Sequence, residues 1–197
     1  MQEPHQEANR VNADRMSDEQ LMLMFQYGNH AAFTLLFERY RVPIYNFARR
    51  MLNEQTAAED ALQETFLRAV GAADTYEPTA KFRTWLFTVA RNCCLNSLRK
   101  RPMMPLIAEG LIESAAFPDP QAAASQADLL WRVEAAIAHL PIAWREAFLL
   151  RYRHGMDYGE IAEVTKLPLG TIKTHIHRAR LRLAGEMQRL LGEDYEV

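Results

Sequence analysis

The apolar positions of this chain recur at helical spacing, and no segment combines strand alternation with turn signals. Within residues 21–40, Phe33, Leu36, Phe37 and Tyr40 fall at i, i+3, i+4 and i+7, laying a core-facing stripe along one helix. Pro43 favours the first turn of a helix, so a second helix carrying Phe47 and Met51 is expected to follow it. A third should begin near Thr56, and a fourth should cover residues 84–101. Downstream, residues 129–139 and 141–153 read as two more helices, and two shorter signals over 157–183 complete a helix-turn-helix. The fold class is all-α.

Between these halves the periodicity lapses. Residues 102–126 hold Pro102, Pro105, Pro118, Pro120, Gly110 and a run of small residues, a composition that builds no core. The expected organisation is a disordered tail over 1–15 and a helical domain over 16–101. A flexible, acidic, Pro-containing linker over 102–127 then leads to a second small helical domain over 128–197.

Charge sharpens this division. The formal net charge is only −2, but it is distributed in blocks. Residues 81–101 contain six basic side chains and no acid; residues 165–185 contain five, with two histidines and again no acid. The stretch 102–128 between them has four acids and no Lys or Arg. Two positive surfaces flanking an acidic strip suit nucleic-acid binding better than a uniform basic coat would. The sequence has no apolar run long enough to span a membrane, and its polar N-terminus lacks a signal-peptide core, so a cytoplasmic protein without membrane insertion is expected. Cys93 and Cys94 are adjacent and point about 100° apart on a helix, which excludes a disulfide between them and favours a role as small buried hydrophobes.

The C-terminal block carries the most specific local signals. Asp157-Tyr158-Gly159-Glu160 has capping-box spacing, in which the Asp accepts a backbone N–H and the Glu reaches back. Ile161, Ala162 and Val164 supply the buried side of the helix it opens, and Pro168 ends that helix. In the next helix, which starts at Gly170-Thr171, Ile172, Ile176, Ala179 and Leu183 form the inner face. Lys173, Thr174, His177 and Arg178 are thereby turned outward. A major groove admits one such helix: Lys173, Thr174 and Arg178 suit base edges, while Arg180 and Arg182 suit phosphates. His175 and His177 diverge on a helix and have no Cys or acidic neighbour in sequence, so neither a metal nor any other cofactor is expected.

In the N-terminal block, Leu62, Phe66 and Ala69 face inward, while Asp60, Gln63 and Glu64, at i, i+3 and i+4, form an outward acidic and amide patch. Without a histidine or a second acidic motif this patch suits protein docking better than metal or acid–base chemistry. Residues 76–86 are dense in aromatics and cations, the chemistry of single-strand binding, although Trp85 and Phe87 fit a core role better.

Taken together these residues resemble the extracytoplasmic-function (ECF) sigma factors of bacterial RNA polymerase, over most of the chain. Asp60-x-x-Gln63-Glu64-x-Phe66-Leu67-Arg68 is similar to the clamp-binding motif of region 2.2. Phe82-Arg83-Thr84-Trp85-Leu86 and Ala90-Arg91-Asn92 are similar to regions 2.3 and 2.4. Leu140-Pro141, Glu160-Ile161-Ala162, Pro168-x-Gly170-Thr171-Ile172-Lys173 and Arg178-Ala179-Arg180 are similar to region 4. The resemblance implies a non-enzymatic specificity subunit that reads −35 and −10 elements and promotes melting. Asp60, Gln63 and Glu64 would dock on the clamp helices of the beta-prime subunit of core polymerase, and region 4 would sit on the beta flap. A base of the −10 non-template strand would be captured by the loop 76–84, with Tyr76, Lys81, Phe82 and Arg83, helped by Asn92, Asn96 and Arg99. Thr171, Lys173, Thr174, His177, Arg178 and Arg180 would meet −35 duplex DNA. The linker would run through polymerase channels, and an anti-sigma factor would control the protein. The chain departs from the family pattern at Asn96, where many members carry an acid, and at His175 and His177, where Arg or an aromatic is common.

Two other readings compete. The run from Gly170 to His175 also resembles the recognition helix of LuxR-type activators, but the upstream block fits no receiver domain. An enzyme using Asp60 and Glu64 as catalytic carboxylates lacks any pocket signature.

Overall fold

The computed structural model describes residues 16–100 and 126–193, with side chains described over 16–100 and 132–189. The expected tail 1–15 and nearly all of the expected linker lie outside the described residues.

Helix α1, Asp18–Gln26, opens with a capping box in which Ser17 and Gln20 satisfy each other's backbone N–H groups. It ends at Gly28, whose φ of +88° turns the chain, and Asn29 then caps α2, His30–Leu52. The single helix expected across residues 21–40 is thus two. The stripe from Phe33 to Tyr40 holds, but the left-handed glycine interrupts the run ahead of it. Pro43 also behaves differently from expectation, for it lies inside α2. Proline removes one helical hydrogen bond, at a cost of about 3 kcal/mol. The buried stripe Leu36, Tyr40, Ile44, Phe47 and Met51 runs through it without a break, and burying such side chains is worth about 1.5–3 kcal/mol each.

Asn53, at φ 54°, ends α2, and Glu54 then accepts the Thr56 and Ala57 N–H groups to start α3, Gln55–Gly71. A short 3-10 turn, Ala73–Thr75, leads to α4, Phe82–Lys100. Glu19 of α1 accepts the Phe82 N–H at 2.8 Å, so the first turn of α4 is held by a carboxylate sixty-three residues away.

The second unit holds α5, Gln126–Ala138; α6, Ile142–Tyr152; α7, Tyr158–Thr165; and α8, Leu169–Glu193. Its core gathers Ile137, Leu149, Leu150, Met156, Ile161, Val164, Ile172 and Ile176. The two units form a continuous buried cluster. Arg145 of α6 joins them: it donates to the Met51 carbonyl at the end of α2, and to the Ala138 and Leu140 carbonyls at the end of α5. Carbonyls left over at two helix ends are thus satisfied by one guanidinium.

Candidate nucleic-acid interface

Helix α3 buries Ala58, Ala61, Thr65, Phe66 and Ala69, which leaves Asp60, Gln63 and Glu64 exposed on the opposite face. Glu64 pairs with Arg68 at 2.6 Å, one turn on. Leu67 lies among them, 59% exposed, and with Ala57, Asn96 and Lys100 it helps line an open groove of about 480 Å³ between α3 and α4. Leu67 thus sets one apolar side chain among the polar groups of this face. Leu67 is absent from the patch expected from sequence, although its spacing from Gln63 and Glu64 puts it on their face. Cys93 and Cys94 are buried free thiols, and burial first of all pushes both pKa values up, that of Cys94 to about 12.

The region expected to capture a single strand divides in three. Tyr76 is 6% exposed and packs its ring against Phe82 and Trp85, while Phe82 is fully buried against Tyr40. Gln26 fixes this corner by donating to the Ala73 and Tyr76 carbonyls. Both rings are core in this arrangement; an aromatic–basic run reads the same whichever way its aromatics point. Asn92, Asn96 and Arg99, at i, i+4 and i+7, share one face of α4; Asn92 and Arg99 are exposed and Asn96 half-buried. Lys81 and Arg83 are engaged by the second unit.

That engagement is the least foreseeable feature of the molecule. Glu160 of α7 accepts Lys81 Nζ at 2.9 Å, and Arg83 Nη2 reaches both its oxygens, at 2.8 and 3.0 Å. Arg83 Nη1 also donates to the His154 carbonyl. Arg91 makes a two-pronged contact with Glu146 of α6, at 2.7 and 3.1 Å. Arg50 of α2 does the same with Glu134 of α5, both prongs at 2.8 Å. Among the described residues Glu146, 2% exposed, and Glu160, 8% exposed, are the buried charged side chains. Burial alone would raise the Glu160 pKa, but Lys81, the Asp157 N–H and Arg83 together hold it below the usual carboxylate value. His154 fits its ring against Phe87 and Phe47, at 4.7 and 5.9 Å between centroids. Burial, and then the nearby Arg50, Arg83 and Arg153, push its pKa down to about 4. Arg91, Glu146 and His154 carry no sequence signal for these roles, because each acts through a partner 55 or more residues distant or in the other unit.

The helix-turn-helix forms as its spacing implied. Asp157 accepts the Glu160 N–H and Glu160 accepts the Asp157 N–H, at 2.8 and 2.9 Å. Lys166, at φ 58°, ends α7. On α8, Ile172, Ile176 and Ala179 are buried, Thr171 is half-buried, and Lys173, Thr174, His177, Arg178, Arg180 and Arg182 are exposed. Thr174 donates its hydroxyl to the Gly170 carbonyl. The Arg178 guanidinium lies over the Trp144 ring of α6, 5.8 Å from its centre.

Known proteins are similar to this chain in sequence and in overall fold. Residues 36–102 match the family model Sigma-70 region 2, and residues 130–183 match Sigma-70, region 4. The chain is 34% identical to the ECF RNA polymerase sigma factor SigW of Bacillus subtilis, across 83% of this chain and 92% of that one. It is 31% identical to the RNA polymerase sigma-H factor of Pseudomonas aeruginosa, across 89% and 96%. Among solved structures, CnrH in complex with the cytosolic domain of CnrY superposes with a TM-score of 0.68 at 28% identity, covering 87% of this chain and 97% of that one. The sigma factor RpoE of Bartonella quintana, in complex with the anti-sigma factor NepR, gives 0.64 at 28% identity, covering 79% and 96%.

Proposed function

The chain belongs to the ECF group of the sigma-70 family, a non-catalytic RNA polymerase subunit for transcription initiation, and from that premise we propose how its surface divides the work. Residues 16–101 act as region 2 and residues 128–197 as region 4. The α3 face of Asp60, Gln63, Glu64 and Leu67 docks on the clamp helices of core polymerase, and region 4 sits on the beta flap. The α4 face of Asn92, Asn96 and Arg99, with Lys81 and Arg83, holds the non-template strand of the −10 element; the buried Tyr76 and Phe82 shape that face from beneath. The N-terminal half of α8 reads the −35 duplex through Thr171, Lys173, Thr174, His177, Arg178 and Arg180. The single observation that carries this reading is the separation of two exposed polar faces, acidic on α3 and basic on α8, onto the two units that match regions 2 and 4.

An anti-sigma factor controls the chain, a reading supported by its similarity, over 79% of its length, to the sigma factor RpoE solved in complex with the anti-sigma factor NepR. No helix among the described residues is long and apolar enough to cross a membrane, in keeping with action in the cytoplasm, where polymerase is found. The test is reconstitution: purified chain is added to sigma-free core polymerase and transcription is selected from a promoter library. Promoter-dependent transcripts are expected, and their absence would overturn the reading. Asp60→Ala with Glu64→Ala should weaken core binding at unchanged promoter preference; unaltered affinity places the docking surface elsewhere.

A further inference from the structure

Helix α1 holds the chain on both sides of the loop that precedes α4. At one end Gln26 donates its amide nitrogen to the Ala73 and Tyr76 carbonyls, at 2.5 and 2.7 Å. At the other Glu19 accepts the Phe82 N–H at 2.8 Å, a donor that the first turn of α4 leaves without a helical partner. The chemistry at each end is fixed: two carbonyls need a donor, and one N–H needs an acceptor. Burial alone would raise the Glu19 pKa, but the N–H groups of Phe82 and of Glu19 itself, with the Ser17 hydroxyl, bring it below the usual carboxylate value. Glu19 therefore faces Phe82 as an ionised carboxylate at neutral pH.

Spacing turns these contacts into a brace. Glu19 and Gln26 are seven residues apart, so they project from one face of α1 about 10 Å apart along its axis. The helix itself is seated by Leu21 and Met22, both buried. The six steps from Tyr76 to Phe82 could cover about 20 Å if extended, so the chain between the two fixed points bows outward. Tyr76 and Phe82 are buried with their rings in contact, whereas Glu77, Pro78, Thr79, Ala80 and Lys81 are all exposed. The Thr79 N–H donates to the Glu77 carbonyl at 2.8 Å, closing a tight turn at the crest. Apolar packing of the two rings is non-directional, while hydrogen bonds to the backbone set where each end of the loop points.

We propose that Glu19 and Gln26 are positioning residues for the −10 strand: without touching DNA, they set the span and direction of the exposed loop 77–81, and so the base preference read there. This rests on the assignment of the −10 strand to Lys81, Arg83 and the α4 face. It gives a part in promoter selectivity to α1, which precedes the residues that match region 2 and carries none of the motifs that point to DNA.

The experiment uses holoenzyme reconstituted from the full-length chain and sigma-free core polymerase. Each −10 base of a selected promoter is varied behind a fixed −35 element, and the use of each base is read as a ratio to the preferred one. Exchanging Glu and Gln should act oppositely at the two ends of the brace. Glu19→Gln keeps an acceptor and should leave the ratios at wild type, while Glu19→Met removes it. Gln26→Glu sets an acceptor against two carbonyls, and Gln26→Met removes the donor without adding a charge. Glu19→Met, Gln26→Glu and Gln26→Met should each flatten base preference at one or two adjacent −10 positions by about three- to tenfold, the net worth of one or two hydrogen bonds. Core binding and −35 preference should stay unchanged. Asn29→Ala, which removes the α2 cap on the Ala32 N–H, controls for stability and should leave every ratio as it was. Thermal melts establish that each variant is folded, and Gln26→Met carries the test at that end if Gln26→Glu is not.

Ratios that stay at wild type in folded Glu19→Met and Gln26→Met variants overturn the proposal even where total transcription falls, for that is what a merely structural role gives. Equal damage by Glu19→Gln and Glu19→Met also overturns it, since the acceptor would then be beside the point. The underlying −10 assignment is judged separately by Thr79→Gly with Lys81→Ala in the loop itself. If that pair shifts the ratios and the α1 variants do not, the strand assignment stands and the brace falls. If the loop pair leaves every ratio unchanged, the assignment falls and the proposal with it.

Discussion

Helices α4 and α8 carry the same kind of charge in the sequence and meet opposite fates in the fold. All of α4, and α8 as far as Gly185, lie in basic blocks free of acids. Lys173, Arg178, Arg180 and Arg182 of α8 project outward beside buried Ile172, Ile176 and Ala179. Arg83 and Arg91 of α4, with Lys81 just before it, are instead met by glutamates from the other unit. A charge block therefore tells where cations are, and only the distant partner tells whether they are free.

The sharpest way to break this comparison is to remove cations from each helix in turn. Lys173→Ala and Arg178→Ala should each cost the duplex-reading surface about 1–3 kcal/mol per true base contact, roughly five- to more than a hundredfold in −35 use by reconstituted transcription. Equal losses on all sequences, with a shallower salt slope, would make them phosphate contacts. Arg91→Ala should leave DNA binding by the free chain nearly unchanged, since Glu146 already occupies it; a loss matching that of Lys173→Ala would erase the distinction between the two helices.

Acid offers a smaller and reversible handle. His154 is held neutral between the units, with its pKa lowered to about 4, and an exposed ring returns to about 6.5. Because the folded value is depressed, the contribution of neutral His154 to the closed arrangement is complete above about pH 6.5 and is lost as pH falls toward about 4. Glu160 stays ionised until below the ordinary carboxylate range, so the window from about 6.5 to 4.5 belongs to His154. Moving from about pH 7.5 to about pH 5.5 should shift the chain toward separation by up to about tenfold, read as a rising radius of gyration. His154→Phe keeps a ring against Phe47 and Phe87 and should abolish the response; persistence of the response would assign it to another group.

Two local changes refine the α8 side. Asp157→Ala removes a helix cap and should lower stability by about 1 kcal/mol in denaturant melts of the second unit's signal. Trp144→Leu removes the ring beneath Arg178 and should cost about 0.5–1 kcal/mol. Its effect should be confined to the base step that Arg178 touches; an even loss across the site would point to general loosening of α6.

The sequence made the helical units legible wherever a stripe and a cap coincide. Asp157 with Glu160, and Ile172 with Ile176, are instances in which local chemistry decides local structure. It misled where tertiary burial outweighed a local rule, as at Pro43, and where a single backbone conformation did, as at Gly28. The exposed faces of α3 and α8 could be read from periodicity. The inward turn of Tyr76 and Phe82 could not, since an aromatic beside a cation has the same spacing in a core as on a strand-binding surface. Nor could the pairing of Arg91 with Glu146, for nothing short of three dimensions brings residues 55 apart into one fork.

Glu160 serves two partners at once, closing the first turn of α7 and neutralising Lys81 and Arg83. That double use ties a local feature to a distant one. Loss of this single carboxylate would loosen the start of a helix in the second unit and release two cations of the first in the same stroke.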